Sequence, residues 1–400
     1  MVLKETLETC VIDQKKNLEH QFIGVNRTLS SNIKLSKQYI SIITGIRRCG
    51  KSTLMTQLMK KHKNEFAYFN FEDPRVFGFE VQDFQKLEDA LGNKKYFFFD
   101  EIQNVEKWEL FIRKLHDRGK VICITGSNAS LLSKELGTRL TGRNVQKELF
   151  PFDYEEFCRF SKLKSNLISF DRYLAEGGFP AYLQNADITY LQQLFRDILY
   201  RDIIVRYGVR NAKLLEQLGL YLLSNIGKEY SLNGLKKIFN IGSANSVSDY
   251  ISWFEDSYLL FSLPKFSWSL KSVAVNPKKI YGIDTGFIRA NSVSFSSDNG
   301  RFLENIVYLH LRKSFKEIYY YREKGECDFI VKDKNKVTQV LQVCYELNDD
   351  NLQREVNGLN EALDYFELKE GFLITRKQKD EFVIGNKKIK VFPAYEWMMR

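Results

Sequence analysis

The residues with the clearest chemical meaning form one short run in the amino-terminal part of the chain. They read Gly45-Ile46-Arg47-Arg48-Cys49-Gly50-Lys51-Ser52, and they match the pattern of a phosphate-binding loop, in which two spaced glycines precede Lys-Ser. Glycine lets backbone N–H groups turn toward a phosphate, because no Cβ stands in the way. The run predicts a nucleotide site in which Lys51 reaches the terminal phosphates, the Ser52 hydroxyl holds Mg²⁺ and Thr53 lines the loop.

A pair of acids, Asp100 and Glu101, follows an apolar run at residues 96–99. An acid at the carboxyl end of a strand beside a phosphate loop is placed to bind the water shell of Mg²⁺, which is the role predicted for Asp100. The next acid, Glu101, could accept a proton from the water that attacks the γ-phosphate. The pair therefore predicts Mg²⁺-dependent hydrolysis of ATP, with Lys51 and Glu101 as catalytic residues.

Three further polar residues could take part in the same chemistry. Asn128 follows an apolar run and could report which nucleotide is bound. The alternative is that Ser127 or Asn128 caps the next helix. Arg139 and Arg143 lie in one segment, 136–143, and either could present a guanidinium to the γ-phosphate, within one chain or from a neighbouring subunit. The alternative for each arginine is a surface ion pair with an acid.

These groups need a scaffold that brings them to one edge of a sheet. The run 39–44 is apolar and β-branched, as expected for a buried strand, and 52–61 has apolar residues at helical spacing. Strand, glycine loop and helix therefore follow one another in the order that an α/β nucleotide-binding domain needs. The other elements predicted for this region are strands at 66–71, 96–100 and 121–125, and helices at 84–91 and 108–117.

Several stretches together resemble a known family. They are the phosphate loop, Phe-Phe-Phe-Asp-Glu at 97–101, Thr-Gly-Ser-Asn at 125–128, Leu-Thr-Gly-Arg at 140–143, Phe-Pro-Phe-Asp-Tyr-Glu-Glu-Phe at 150–157, Glu-Gly-Gly-Phe-Pro at 176–180 and Tyr-Arg-Asp-Ile at 200–203. These residues look like the prokaryotic ATPases of the AAA+ superfamily that bear a C-terminal domain of unknown function. The resemblance covers nearly the whole chain. It implies a core of five parallel strands, ATP with Mg²⁺ and self-association into a homo-oligomer, but no particular substrate.

We expect an α/β chain made of successive modules. In chain order they are a leading helical segment at 1–37, an AAA+-like P-loop NTPase core at 38–152, a helical lid at 153–210, a winged helix-turn-helix at 211–290 and a restriction-endonuclease-like domain at 291–400.

The winged helix-turn-helix is expected from the order helix, glycine turn, helix and hairpin. Polar residues at the start of its second helix would face a DNA groove: Ser243, Asn245, Ser246 and Ser248. Lysines on the wing would lie near the phosphates: Lys265, Lys271, Lys278 and Lys279. The alternative is a winged helix that contacts protein and touches no DNA, since the second helix has no Arg or Lys and carries Asp249.

Residues 300–345 resemble the restriction-endonuclease-like fold. Active members of that fold use an Asp, followed on the next strand by an acid and a Lys, to bind a metal ion and orient water. Asp328 fits the first position and Glu304 could assist, but Gln342 and Cys344 stand where the acid and the Lys belong. A neutral amide and a thiol cannot replace both groups, so we predict the fold without nuclease activity.

The composition sets bounds on partners and location. A formal net charge of +10 and a pI near 9.0 permit attraction to nucleic acid, but the basic residues are scattered among nearly as many acids, as on an ordinary solvated surface. The cysteines and histidines show no metal-ligand spacing. No apolar run approaches the roughly eighteen residues that span a bilayer, so we expect no membrane partner and a cytoplasmic location.

The combined interpretation is an ATP-binding and ATP-hydrolysing molecular switch, with DNA as a candidate partner. One alternative is a DNA-binding module in which ATP is structural. Another is an ATP-dependent nuclease that keeps metal chemistry at Glu304 and Asp328. A small-molecule kinase fits less well, because Glu101 is placed for water rather than for an acceptor alcohol.

Overall fold

The computed structural model describes residues 1–20, 23–62, 65–128, 142–293 and 298–400. It has a mixed α/β fold that separates into two compact units, Met1–Phe150 and Pro151–Arg400. Within these described ranges, none of the helices combines the length and the apolar character that crossing a bilayer requires.

The first unit contains a five-stranded sheet and four helices among its described residues. In chain order the elements are α1 (Lys4–His20), β1 (Ile40–Thr44), α2 (Lys51–Met59), β2 (Phe66–Asn70), α3 (Asp83–Leu91), β3 (Tyr96–Asp100), α4 (Trp108–Asp117), β4 (Val121–Gly126) and β5 (Asn144–Glu148). Short 3₁₀ turns lie at Thr28–Ser31, Pro74–Val76 and Ile102–Asn104. The strand order is β2-β3-β4-β1-β5, and the pairings between these neighbours are parallel.

The parallel register brings the carboxyl ends of the central strands to one edge of the sheet. Thr44, at the end of β1, is level with Gly126 at the end of β4. Asn70, at the end of β2, is level with Asp100 at the end of β3. Because β1, β3 and β4 are almost entirely buried apolar runs, they occupy the middle of the sheet. The loop after β1 and the acids after β3 therefore lie at the same edge.

Strand β5 is a part of this sheet that the sequence pattern did not predict. Its residues are mostly polar and partly exposed, as is common for an edge strand, so no apolar run marks it. With β5 included, the sheet has the five parallel strands that the family resemblance implied.

The leading helix α1 shares the core of the first unit. Leu7 and Cys10 on α1 are buried in the same hydrophobic cluster as Phe69 of β2 and Leu87 of α3. The amino-terminal helix therefore packs directly on the domain that follows it.

The second unit begins with helices and ends with a mixed sheet. Its helices are α5 (Tyr154–Ser161), α6 (Leu167–Glu176), α7 (Pro180–Asn185), α8 (Ile188–Asp197), α9 (Val205–Tyr207), α10 (Ala212–Leu223), α11 (Leu232–Ile238), α12 (Ala244–Asp256), α13 (Leu270–Val275), α14 (Thr285–Asn291), α15 (Asn299–Ser314), α16 (Leu352–Tyr365) and α17 (Ala394–Trp397). A π-helical segment, Ile198–Ile204, joins α8 to α9. Its strands are β6 (Glu229–Tyr230), β7 (Leu260–Pro264), β8 (Lys278–Gly282), β9 (Glu317–Arg322), β10 (Glu326–Asp333), β11 (Lys336–Cys344), β12 (Glu370–Thr375), β13 (Asp380–Ile384) and β14 (Lys387–Pro393).

These strands form two sheets. The small sheet has the order β6-β8-β7 with antiparallel pairs. Its strand β6 lies between α10 and α11 in the chain, whereas β7 and β8 follow α12. The large sheet has the order β13-β14-β12-β11-β10-β9. Within it β12 pairs in parallel with β11 and β14, and the other pairs are antiparallel. The sequence pattern did not predict β13, which is a mostly exposed edge strand.

Candidate active site

The glycine loop connects β1 to α2 and runs close to the chain that follows β5. Gly45 has a φ of 155°, and a Cβ at this position would lie 2.1 Å from the carbonyl oxygen of Leu149. Gly50 has a φ of 101° and is the N-cap residue of α2. Glycine is therefore required at both positions, and α2 directs its first N–H groups toward the loop, where an anion would be stabilised.

Arg27 holds the loop in place, although it lies outside every motif in the sequence. It is buried, and its Nη1 donates to the carbonyl oxygen of Cys49 at 2.7 Å, while Nη2 donates to that of Phe150 at 2.6 Å. The buried Cys49 thiol donates to the carbonyl oxygen of Leu149 at 3.3 Å. Sequence reasoning missed Arg27, because one arginine in an irregular segment carries no periodic or motif signal.

Lys51, the first residue of α2, turns back over its own loop. Its side chain is buried, and its Nζ donates to the carbonyl oxygens of Gly45 at 3.1 Å and Ile46 at 3.2 Å. The same nitrogen lies 3.2 Å from Oε1 of Glu101. Burial alone would lower the pKa of Lys51, but nearby groups, Glu101 foremost and Asp100 among them, together raise it above its ordinary value. The ammonium therefore stays charged in the buried site.

Asp100, the last residue of β3, accepts hydrogen bonds from several hydroxyl groups. The hydroxyls of Ser52 and Thr125 donate to its carboxylate, and the Tyr68 hydroxyl donates to its Oδ2 at 3.4 Å. Burial raises the pKa of Asp100, and the negative charge of Glu101 raises it further, against the opposing effect of the hydroxyls. A cation beside Asp100 would relieve that penalty.

Glu101 is held through both of its carboxylate oxygens. Its backbone has a φ of 49°, and its N–H donates to Oγ1 of Thr125 at 3.1 Å. While Oε1 faces Lys51, Oε2 accepts hydrogen bonds from Nε2 of Gln103 at 2.5 Å and from the backbone N–H of Ser127 at 3.2 Å. Burial raises the pKa of Glu101, but the Lys51 charge, the Gln103 hydrogen bond and the Arg47 charge together outweigh burial and leave the pKa below its ordinary value. Glu101 is therefore an ionised carboxylate.

The remaining predicted residues of the loop differ in exposure. Ile46 is buried, Thr53 is partly buried, and Arg48 is exposed with a φ of 67°. Arg47 forms an ion pair with Glu72, with 2.7 Å between Nη1 and Oε1. The charged ends of Arg47 and Arg48 therefore lie away from the buried core.

Asn128 lies directly after Ser127, whose N–H contacts Glu101. Its side chain is buried, and its backbone is therefore close to the acid pair. The helix-cap alternative for Ser127 and Asn128 concerns residues 129–141, which lie outside the described residues.

Of the two predicted arginines, only Arg143 lies within the described residues. Arg139 lies outside the described residues. Arg143 directly precedes β5 at the amino edge of the sheet, where its carbonyl oxygen accepts a hydrogen bond from the Ile40 N–H at 2.8 Å. Its guanidinium pairs with Asp117 at 2.6 Å. About 13 Å of strand β1 separates that edge from the phosphate loop, so the structure does not bring Arg143 to the loop of its own chain.

The residues at the carboxyl edge fit a nucleotide together with Mg²⁺. The cradle around Gly45 leaves no room for a Cβ, and Lys51 supplies a positive charge. The Ser52 hydroxyl already meets the Asp100 carboxylate, and both are the oxygen ligands that Mg²⁺ prefers. Across the described ranges, no group of three or more His, Cys, Asp or Glu residues is arranged to hold a metal ion.

The wing lysines differ from the DNA-facing set that the sequence predicted. Lys279 is only 5% exposed, and its ammonium pairs with three carboxylates. The expectation of a phosphate contact at Lys279 is therefore wrong, because its position on β8 turns the side chain inward. Lys265 pairs with Glu323 at 3.1 Å, whereas Lys271 is exposed and Lys278 is partly exposed.

The nuclease-like positions meet around the same lysine. Glu304 and Asp328 lie 3.1 Å and 2.9 Å from Nζ of Lys279. Gln342 is adjacent to them, because its Oε1 accepts a hydrogen bond from the Asp328 N–H at 3.1 Å. The Cys344 thiol donates to a backbone carbonyl of its own loop at 3.3 Å. The structure thus brings the two predicted acids together, but it supplies their cation from β8 and not from the strand that follows.

Three family models match successive parts of the chain. An AAA domain matches residues 37–158. A domain of unknown function (DUF8612) matches residues 167–297, and another (DUF4143) matches residues 299–397.

Relatives cover the chain almost from end to end. The uncharacterized protein MJ1544 of Methanocaldococcus jannaschii is 34% identical over 100% of this chain and 96% of its own length. An uncharacterized protein of Haemophilus influenzae is 29% identical over 90% of this chain and 94% of its own length.

Solved structures align at lower similarity. AMPPCP-bound DnaA from Aquifex aeolicus aligns with 64% of this chain and 89% of its own, at 13% identity and a TM-score of 0.29. The Thermotoga maritima RuvB Holliday junction branch migration motor aligns with 65% of this chain and 94% of its own, at 17% identity and a TM-score of 0.28. Because these TM-scores are low, family membership rests on the family models and on the full-length relatives.

Proposed function

We propose that this chain, which belongs to the prokaryotic AAA+-superfamily P-loop ATPases with a C-terminal domain of unknown function, binds and hydrolyses ATP as a molecular switch. The observation that carries the proposal is the meeting of Lys51 with the acid pair. Lys51 Nζ lies 3.2 Å from Glu101, and Ser52 donates a hydrogen bond to Asp100. A cation for phosphate, two oxygen ligands for Mg²⁺ and a carboxylate base thus share one sheet edge.

Binding would use the loop, Lys51 and the Ser52–Asp100 pair. The N–H groups at the start of α2 and the Lys51 ammonium would hold the phosphates. Ser52 and Asp100 would hold Mg²⁺, which when bound supplies positive charge that offsets the charge on the transferred phosphoryl group. The Ser52 hydroxyl would then turn from the Asp100 carboxylate toward the ion.

Hydrolysis would depend on freeing Glu101. In this structure Oε1 of Glu101 is engaged by Lys51 and Oε2 by Gln103 and Ser127. When Lys51 turns to the phosphates, Oε1 becomes available to accept a proton from water, while Gln103 and Ser127 keep the carboxylate in place. Gln103 is therefore a positioning residue for the base.

The switch itself rests on the γ-phosphate. Its presence or absence would change the partners of Lys51 and Glu101, and such a local change can select between two arrangements of a protein. We propose that the predicted lid, winged helix and terminal domain (153–210, 211–290 and 291–400) respond to it, and that the chain works as a homo-oligomer.

Isothermal titration calorimetry with Mg²⁺ and a phosphate-release assay test the proposal. The parent should bind and hydrolyse ATP, and Lys51→Ala should lose both activities. Lys60→Ala, which changes an exposed lysine at the end of the same helix, should behave as the parent. The proposal fails if the parent binds no ATP, or if Lys51→Ala binds and hydrolyses ATP as well as the parent.

A DNA-binding module with structural ATP is the second candidate. The exposed side chains of Asn245 and Ser248 at the start of α12, together with the exposed Lys271, favour it. This candidate requires a DNA affinity that falls steeply with salt but ignores nucleotide. Filter binding over a salt series, with and without ATP, separates it from the switch, for which ATP should change the DNA affinity or DNA should change the hydrolysis rate.

A further inference from the structure

An ammonium group is buried among three carboxylates in the second unit. Nζ of Lys279, on β8, lies 3.1 Å from Oε1 of Glu304 on α15. It also lies 2.8 Å from Oε1 of Glu326 and 2.9 Å from Oδ1 of Asp328, both on β10. The side chains of Lys279, Glu304 and Asp328 are 5%, 13% and 8% exposed. We call these four residues the Lys279 cluster.

Hydrogen bonds around β8 determine where the ammonium lies. Asn305, next to Glu304 on α15, accepts the Gly282 N–H at 2.8 Å and donates to the Gly282 carbonyl oxygen at 3.0 Å. These two bonds fix β8 against α15. Tyr281 projects from the same face of β8 as Lys279 and donates its hydroxyl to Oε1 of Glu304 at 2.6 Å. The fixed position of β8 therefore places the Lys279 ammonium in the cluster.

The acid on the opposite side is held equally firmly. Oδ2 of Asp328 accepts the backbone N–H of Val343 at 3.0 Å, and the Asp328 N–H donates to Oε1 of Gln342 at 3.1 Å. Gln342 in turn donates its Nε2 to Oε2 of Glu355 at 2.6 Å. Asp328 thus gives one oxygen to the backbone and directs the other at Lys279.

Three carboxylates that converge on one point need a cation there. Without one they would repel each other, and burial would make the repulsion more costly. Oxygen ligands of this kind also hold divalent metal ions. The Lys279 nitrogen stands at the point where the three oxygens meet. With the ammonium there these carboxylates form no metal site, and a metal ion could enter only in place of the ammonium.

We propose that Lys279 is an internal cation that takes the place of a divalent metal ion in the terminal domain. The ammonium satisfies the converging oxygens, keeps metal ions out of the Lys279 cluster and joins β8 to the six-stranded sheet. The ammonium therefore fills the place of a metal ion beside the two nuclease-like acids, Glu304 and Asp328. This role does not depend on the nucleotide site.

Lys279→Ala tests the proposal, because it removes the ammonium and leaves a space lined by carboxylates. We expect the variant to bind one more Mn²⁺ than the parent, with a Kd of about 0.1–1 mM, as in weak carboxylate sites. Electron paramagnetic resonance of free Mn²⁺ measures this binding, and Mn²⁺ should raise the Tm of the variant more than that of the parent. Lys336→Ala changes an exposed lysine at the start of β11 and should match the parent.

A triple variant separates the new site from the phosphate loop, which all variants keep. Lys279→Ala combined with Glu304→Gln and Asp328→Asn should lose the gained Mn²⁺ binding. If Lys279→Ala alone is unfolded in EDTA, Mn²⁺ should restore its circular dichroism spectrum.

Three outcomes would overturn the proposal. The first is a folded Lys279→Ala that gains no Mn²⁺, and the second is an unfolded one that Mn²⁺ does not restore. The third is Mn²⁺ binding by the parent that disappears in Glu304→Gln, since a metal ion would then share the cluster with the lysine.

Discussion

Nζ of Lys51 lies 3.2 Å from Oε1 of Glu101 in the first unit. The residue proposed to hold phosphate and the residue proposed to activate water therefore neutralise each other. A phosphate must compete with Glu101 for the ammonium, so one contact couples nucleotide binding to release of the base. The same contact keeps both buried groups charged. Either group would lose its charge more readily without the other.

Glu101→Gln should separate binding from hydrolysis. An amide cannot accept the proton from water, and it competes less strongly for Lys51. We predict that the hydrolysis rate falls about 10²- to 10⁴-fold while the Kd for ATP stays the same or decreases, measured by phosphate release and calorimetry. Glu106→Gln, at an exposed position nearby, should have no effect. A Glu101→Gln protein that hydrolyses ATP normally would remove Glu101 from the mechanism.

Gln103→Leu should slow hydrolysis without weakening ATP binding. Gln103 donates a hydrogen bond to Glu101 at 2.5 Å, and after Lys51 it helps to keep the pKa of Glu101 low against the effect of burial. We predict a fall in kcat of about tenfold with an unchanged KM, and a shift of the acidic limb of the pH–rate profile to higher pH.

Gln82→Leu is the matched control for that change. Gln82 also donates to a glutamate, Glu80, at 2.8 Å, but on the surface. The control should keep the parent kcat and pH profile. An unshifted pH profile in Gln103→Leu would mean that Gln103 does not act through Glu101.

Gly45→Ala should damage the loop more than an equivalent change elsewhere. Its Cβ would lie 2.1 Å from the Leu149 carbonyl oxygen, so the loop must move. Gly92→Ala also places alanine at a positive φ, 71°, but its Cβ meets no described heavy atom within 4 Å. We predict a loss of about 1–3 kcal/mol of stability for Gly92→Ala, a larger loss for Gly45→Ala, and loss of ATP affinity only for Gly45→Ala. Urea unfolding and calorimetry test this, and equal effects of the two variants would contradict it.

One of the two arginines should act from a neighbouring subunit. Arg143 lies at the amino edge of its own sheet beside Asp117, so we expect no contribution to the site of its own chain. We predict that Arg139→Ala or Arg143→Ala lowers hydrolysis about 10³-fold without changing ATP affinity. Mixing that variant with Lys51→Ala should restore part of the activity, because one chain would supply the arginine and the other the intact loop. Full activity in both single variants would exclude an arginine finger at either position.

The stability of the second unit should depend on pH through Glu304. Burial raises the pKa of Glu304 from 4.5 to about 7, although Lys279 acts in the opposite direction. The folded state therefore holds this proton more tightly than the unfolded chain, and the resulting stabilisation is present below about pH 4.5 and is lost as the pH rises to about 7. We predict that Glu304→Gln removes this decline, which is at most about 1.4 kcal/mol per pH unit.

Denaturant unfolding at several pH values between those limits measures the effect. Glu381→Gln, on the exposed strand β13, should keep the decline seen in the parent. If Glu304→Gln shows the same decline as the parent, the proton on Glu304 is not the cause.

The sequence predicted most of the elements that position the site. Buried strands such as β1 and β4 are continuous apolar runs, and the phosphate loop has a pattern with few alternatives, so both can be recognised locally. Strand β5 and Arg27 could not be predicted in this way. Each is polar, and each is positioned by residues that are distant in the sequence. Strand β5 pairs with β1, and Arg27 donates to the carbonyl oxygens of Cys49 and Phe150.

Lys279 is the clearest example of a residue whose surroundings the sequence did not predict. Its place in a basic hairpin predicted an exposed wing residue, but the fold sets β8 against α15 and β10, and a buried cluster of acids takes the ammonium. By itself the sequence determined which residues could do chemistry, since a residue's type sets its charge and hydrogen-bonding capacity. The tertiary structure alone decided which charges meet, because ion pairs form between groups that only folding brings together, and it set Lys51 against Glu101 and Lys279 against Asp328.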